Sequence, residues 1–152
     1  LFLATTDRRL VALDARNGVP CTGFGNGGEI RVPLERAELG EEELQFTSAP
    51  AVVGNVVVVG SASGDNGRVF GPDGAVRAFD ARSGAPRWRF DPIPRGADPV
   101  AGPSWQGNSA ATTGQANAWG PISVDSQRDL VFVPTSSPSP DFHGGLRHGD
   151  NL

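Results

Sequence analysis

Asp73-Gly74-Ala75-Val76-Arg77-Ala78-Phe79-Asp80-Ala81-Arg82-Ser83-Gly84-Ala85-Pro86 decides the fold, because the chain says nearly the same thing earlier. The earlier copy runs Asp7-Arg8-Arg9-Leu10-Val11-Ala12-Leu13-Asp14-Ala15-Arg16-Asn17-Gly18-Val19-Pro20, and Asp14 and Asp80 stand 66 positions apart (80 − 14). Phe24 and Phe90 keep the same offset. Recurrence at this spacing marks an array of like units rather than one closed domain. Within each copy, Leu10, Ala12 and Asp14, or Val76, Ala78 and Asp80, share one face of a short strand. The Asp ends the strand: its carboxylate accepts from N–H groups two or three residues on, and Gly18 or Gly84 supplies the positive φ for the return. Each copy is therefore expected to read strand, tight turn, strand, Asp-x-x-x-Gly turn, strand. No copy buries both faces of such a sheet alone.

The rest of the chain has the same punctuation. Among 152 residues are 21 Gly and 13 Pro, set between short apolar runs such as Ala51-Val52-Val53, Val56 to Val59 and Leu130 to Val133. That pattern predicts an all-β chain. Leu34 to Leu44, with Glu35, Glu38, Glu41, Glu42 and Glu43, suits either a short acidic helix or a solvated loop. Residues 1–32 read as the end of one sheet unit, 48–91 as a full unit and 119–152 as the start of the next. A Pro/Gly-rich excursion fills 91–118, and Trp119 is expected to begin a strand. Four-stranded units at this spacing suit a β-propeller, in which each blade needs neighbours. A β-sandwich accounts for the strands but not for a phrase repeated in register.

Net charge −4 leaves no basic footprint for nucleic acid. A single cysteine, Cys21, excludes an intramolecular disulfide. No apolar stretch approaches the roughly 18 residues of a membrane span, and no signal peptide is visible. The sequence contains no Met and reads as an internal fragment of a longer chain.

Ala78-x-Asp80-Ala81-x-x-Gly84-x-x-x-Trp88 resembles the tryptophan-docking repeat of the quinoprotein dehydrogenases. The first copy departs from it, with Thr22 at the Trp position. Three further stretches, with the opening Leu3 to Leu10, are similar to the membrane-bound glucose dehydrogenase branch. These are Val59-Gly60-Ser61-Ala62-Ser63-Gly64-Asp65-Asn66, Asn117-Ala118-Trp119-Gly120-Pro121 and Ser137 to Arg147. The resemblance implies a partial β-propeller, about two four-stranded antiparallel blades of an eight-bladed propeller holding pyrroloquinoline quinone (PQQ) on its axis. It also implies Ca²⁺ or Mg²⁺ beside the quinone, a sugar or polyol substrate, and ubiquinone as electron acceptor. The parent would lie on the periplasmic face of the bacterial inner membrane, with the remaining blades as partners of this segment. A non-catalytic propeller scaffold of the cell envelope carries the same docking repeat and is the rival reading.

Four residues are the cofactor-site candidates. Asp65 and Asn66 follow small residues that let backbone approach a flat ligand, and they offer hard oxygen ligands to a divalent cation. Asp65 is the metal candidate by resemblance, although Asp-Asn-Gly is also ordinary turn chemistry. Trp119 suits an aromatic platform under a planar quinone or, equally, a core position at a blade start. Asn117 supports it from the preceding turn. Ser137 stands where methanol dehydrogenases have an Asn metal ligand. Trp88 reads as a docking residue, and His143 and His148 as surface loop. No catalytic base is assigned: alcohol oxidation calls for a carboxylate beside the quinone, and in the family it lies in later blades.

Overall fold

The computed structural model describes residues 1–33, 44–64, 67–96 and 99–151. The acidic stretch 34–43, for which helix and loop were both open, lies outside them. The described chain is nearly all β and forms three successive antiparallel sheets. The first has the order β1 (Phe2–Ala4), β2 (Arg9–Ala12), β3 (Glu29–Arg31). The second has four strands in sequence order: β4 (Ala51–Val53), β5 (Val56–Val59), β6 (Val76–Asp80) and β7 (Pro86–Phe90). The third pairs β8 (Ser123–Asp125) with β9 (Leu130–Phe132). The Pro/Gly-rich excursion contains two short helical turns, a 3-10 turn at Gly102–Ser104 and α1 (Ser109–Thr112).

The two inner strands of the middle sheet, β5 and β6, are covered on both faces, which explains why Val56 to Val59 is apolar without alternation. Val57, Val59 and Phe79 pack toward the first sheet with Leu10, Ala12, Phe24 and Val32. Val58, Val76 and Ala78 pack toward the third with Ala118, Ile122, Val131 and Val133. The register alternates accordingly, Val57 opposite Phe79 and Val58 opposite Ala78. Sheets stacked face to face in series are the architecture of a partial β-propeller; a sandwich would close on two layers.

The repeated turn forms in both copies. Gly18 and Gly84 each take φ +73° and donate to the Asp carbonyl, at 2.8 Å to Asp14 and 2.9 Å to Asp80. The carboxylate of Asp14 accepts the Arg16 N–H at 2.9 Å, and that of Asp80 accepts Arg82 N–H at 3.0 Å and Ser83 N–H at 2.8 Å. A related turn joins β8 to β9, where Asp125 accepts the N–H groups of Gln127 and Arg128 at 3.0 and 3.1 Å. Each Asp also holds an arginine: Arg16, Arg87 and Arg128 respectively.

After the turn the copies diverge, against the expectation of a strand in each. The second copy continues as β7. In the first, Pro20 bridges Leu13, residues 21–28 leave the ladder, and β3 begins only at Glu29. The loop's two ends close on Ala12, whose carbonyl accepts Cys21 N–H at 2.9 Å and whose N–H donates to Gly28 at 2.8 Å. Gly25, Gly27 and Gly28 all have positive φ, which a strand does not accommodate. Phe24 is turned into the core instead, its ring 5.5 Å from that of Phe2. Where the second copy carries Trp88, the first has Thr22, and a buried phenylalanine two residues later.

The Arg87 side chain, then the Ser83 and Arg82 donors, hold the Asp80 carboxyl well below the usual carboxylate range. A folded-state value lower than the unfolded one, about 3.9, stabilises the fold fully above that pH and progressively less as pH falls toward the folded value. Asp80→Asn should therefore lower the melting temperature at pH 7, with the difference from wild type shrinking below about pH 4. Thermal denaturation across pH 2.5 to 7 checks this; a pH-independent difference would remove the charge from the account.

Candidate cofactor-binding site

The chain between α1 and β8 returns across the middle sheet as a buried strap, Thr113 to Ala118. On one side lies the loop that follows β5, on the other the loop that follows β9. Backbone bonds tie all three: Gly114 N–H donates to Val69 at 2.9 Å, Gln115 N–H to Pro72 at 2.8 Å, and Ser136 N–H to Asn117 at 3.0 Å. Gln115 bridges both Asp73 and Pro138. From the far side, the Arg95 guanidinium donates to the carbonyls of Ala110 and Thr113, each at 2.6 Å. Trp105, unassigned from sequence, packs beneath the strap with Ile93 and Ala116.

Glycine makes this approach possible. A methyl group on Gly60 would lie 2.0 Å from the Ala118 carbonyl oxygen, and one on Gly74 2.1 Å from that of Gln115. The start of the Gly60 to Gly64 loop and the end of the strap are therefore in backbone contact. That contact fixes the backbone immediately before Trp119 against the start of the loop.

Trp119 itself is 60% exposed. It does not begin a strand as expected: β8 starts four residues later, after Gly120 and Pro121, and Pro121 has no N–H to give a ladder. Its carbonyl accepts the Ser48 hydroxyl. The residue lines an open cleft of about 610 Å³ with Thr47 to Pro50 and Gly120 to Ile122. Asn117 is buried, and its side chain is a cross-brace. Nδ2 donates to the Ser61 carbonyl at 2.7 Å, and Oδ1 accepts the Ser136 hydroxyl at 3.2 Å. Asp65 and Asn66 lie outside the described residues; the chain on their N-terminal side, Gly60 to Gly64, is the loop just placed. Ser137 is exposed, as are His143 and His148.

Four buried polar atoms in the loop and the strap have no hydrogen-bond partner among the described residues: Ser61 Oγ, Ser63 Oγ, Thr113 Oγ1 and Gln115 Oε1. Sequence reasoning named none of these side chains for the site. Each buried group left unsatisfied costs on the order of 1–3 kcal/mol, so four in two adjoining segments is a concentration of unmet polarity.

Residues 1–152 match the family described as "PQQ: Glucose/ethanol/alcohol dehydrogenase, beta-propeller domain". The chain belongs to this family of PQQ-dependent quinoprotein dehydrogenases and forms part of its propeller. It is 36% identical over 94% of its length to the glycerol dehydrogenase large subunit of Gluconobacter oxydans, of which it covers 19%. It is 35% identical over 99% of its length to the quinoprotein glucose dehydrogenase of the same organism, covering 18%. The chain thus spans about a fifth of the curated relatives it matches. Among solved structures, the quinohemoprotein alcohol dehydrogenase from Comamonas testosteroni superposes with a TM-score of 0.69 at 25% identity, over 99% of this chain and 22% of that one. Among the described residues, no helix is long and apolar enough to cross a membrane.

Gly60→Ala should destabilise the protein by about 1–3 kcal/mol, since the Ala118 carbonyl must be pushed away. Gly23→Ala, where a methyl group meets nothing within 4 Å, is the control and should be near neutral. Denaturant unfolding of both variants checks the difference; equal stabilities would mean the strap is not held by this contact.

Proposed function

We propose that this chain supplies part of the PQQ-binding face of a dehydrogenase that oxidises a hydroxyl of a sugar or polyol. The observation that carries this reading is the backbone contact between Gly60 and Ala118. It joins the start of a loop with two buried, unpartnered hydroxyls to the residue that precedes the exposed Trp119. PQQ is flat and carries carboxylates, so an aromatic plane beside unmet hydrogen-bond donors suits it. When bound, it supplies the two-electron acceptor that no protein side chain provides.

In this reading the chain's own residues bind and orient. Trp119 would offer PQQ an aromatic face and the Ser61 and Ser63 hydroxyls would donate to it, while Asn117 keeps loop and strap in register. Asp65, with Asn66 beside it, contributes oxygen ligands to a Ca²⁺ or Mg²⁺ ion that holds the cofactor. The base that takes the substrate's hydroxyl proton comes from other blades, and the segment by itself does not turn over substrate. Similar identity to a glycerol and a glucose dehydrogenase supports a polyol or aldose substrate without choosing between them. Electrons pass to ubiquinone, and the whole enzyme works at the periplasmic face of the inner membrane.

In the full-length enzyme, Trp119→Ala should weaken PQQ binding to the apoenzyme roughly tenfold, the scale of a lost aromatic stacking contact. Titration of the apoenzyme with PQQ measures it, and an unchanged dissociation constant removes Trp119 from the site. Asp65→Ala should raise the Ca²⁺ or Mg²⁺ concentration needed for half-maximal reconstitution. An unaltered metal requirement would return Asp65 to a turn-forming role.

A further inference from the structure

We propose that Gln115 is a positioning residue that locks the cofactor loop to the strap carrying Asn117 and Trp119; this rests on the site reading above. Gln115 is 1% exposed and its Nε2 donates to the carbonyl of Gly64. A carbonyl can only accept, so the nitrogen faces Gly64 and Oε1 is left buried without a partner among the described residues. The backbone there is also unfavourable: Gln115 and Ala116 have φ of +68° and +58°, two non-glycine residues in succession in the left-handed region.

An apolar side chain of similar volume would fill the same space without the orphaned oxygen. The site therefore retains an amide at a cost in stability, and the bond it secures is to the last residue before Asp65 in the sequence. Asn117 makes the corresponding bond to Ser61, at the other end of the same loop. With both ends held, residues 60–64 and the strap that leads into Trp119 are tied together. Gln115 touches no reacting atom; it sets where the loop's ligands stand.

The test uses the full-length apoenzyme, read by equilibrium PQQ binding, by the Ca²⁺ concentration for half-maximal reconstitution and by melting temperature. Gln115→Met keeps the volume and loses the donor. It should weaken PQQ binding and raise the Ca²⁺ requirement, each by roughly three- to tenfold, the scale of one hydrogen bond. Ser139→Ala is the comparison, because Ser139 is also buried and its hydroxyl donates to a more distal carbonyl, that of Arg68. It should lower the melting temperature while leaving PQQ binding and the Ca²⁺ requirement unchanged. Should Gln115→Met fail to fold, Gln115→Asn carries the same expectation, since its amide is one methylene short of Gly64. Wild-type binding and Ca²⁺ dependence in the Gln115 variant would overturn the proposal, as would equal shifts in the Gln115 and Ser139 variants. If Trp119→Ala weakens PQQ binding and Gln115→Met does not, positioning fails while the site stands. If neither does, the site reading fails and takes the proposal with it.

Discussion

The rest of the structure depends on a backbone-to-backbone contact: the strap Thr113 to Ala118 meets the chain after β5 main chain to main chain at Gly60, Gly71 and Gly74. Gly60, Gly74 and Gly114 each sit where a methyl group would fall 2.0 to 2.5 Å from main-chain atoms of the facing segment. Such an approach buries peptide groups from both sides, and buried peptide groups must be paired. Gly114 and Gln115 donate across the contact, to Val69 and Pro72, and from the strap's other side Ser136 donates to Asn117 and Ser139 to Gly114 at 3.1 Å. Contact and pairing enforce each other. A wider gap would admit water and release the bonds, and without the bonds the glycines would lose more entropy than their packing returns.

The middle sheet gives that contact its foundation. Because its inner strands are covered on both faces, β6 is buried along its whole length, including Arg77 and Asp80. Arg77 stands opposite Arg89 in the β6–β7 register, where like charges repel. Asp73 resolves this by accepting from both, at 2.8 Å from Arg77 and 3.3 Å from Arg89. Arg89 goes on to Asp91 at 3.3 Å, and Asp91 to Arg95 at 3.2 Å. Arg95 ends the series on the carbonyls of Ala110 and Thr113. A ladder of alternating charge therefore runs from inside the sheet to the start of the strap. Partly buried pairs of this kind add little net stability, but breaking one strands its neighbour, so they fix geometry more than they add energy.

The repeat made much of this fold legible. Strand β6, the Gly18 and Gly84 turns and the three-unit order of sheets follow from hydrophobic period and turn chemistry, which act locally and leave a local trace. The first copy misled because the same phrase continues differently: after Pro20 the glycines at 25, 27 and 28 favour a loop, and Phe24 finds the core from there. Trp119 and Asn117 were legible as residues but not in their settings. Gly120-Pro121 postpones the strand, and the Asn117 amide spends a donor and an acceptor on Ser61 and Ser136. Gln115 left no trace at all, since a polar residue in Thr-Thr-Gly-Gln-Ala-Asn reads as solvated loop. Its burial is decided by segments about 50 residues away in sequence, Gly64 among them.

That contrast has a physical cause that bears on how such a family varies its chemistry. The strand ladders and the bonds from each Asp carboxylate to its turn are made within one sheet, so they recur with the blade. The strap is satisfied only by two neighbouring loops at once, and it therefore cannot repeat with the blade. A change in the loop after β5 is felt at Ala118 through Gly60 and at Asn117 through Ser61. Substitutions there must be accepted in pairs, whereas a changed residue on the exposed strand β7 meets no such condition. The stretch that reads as irregular punctuation in the sequence, Thr113 to Ala118, is buried throughout and bonded on both sides.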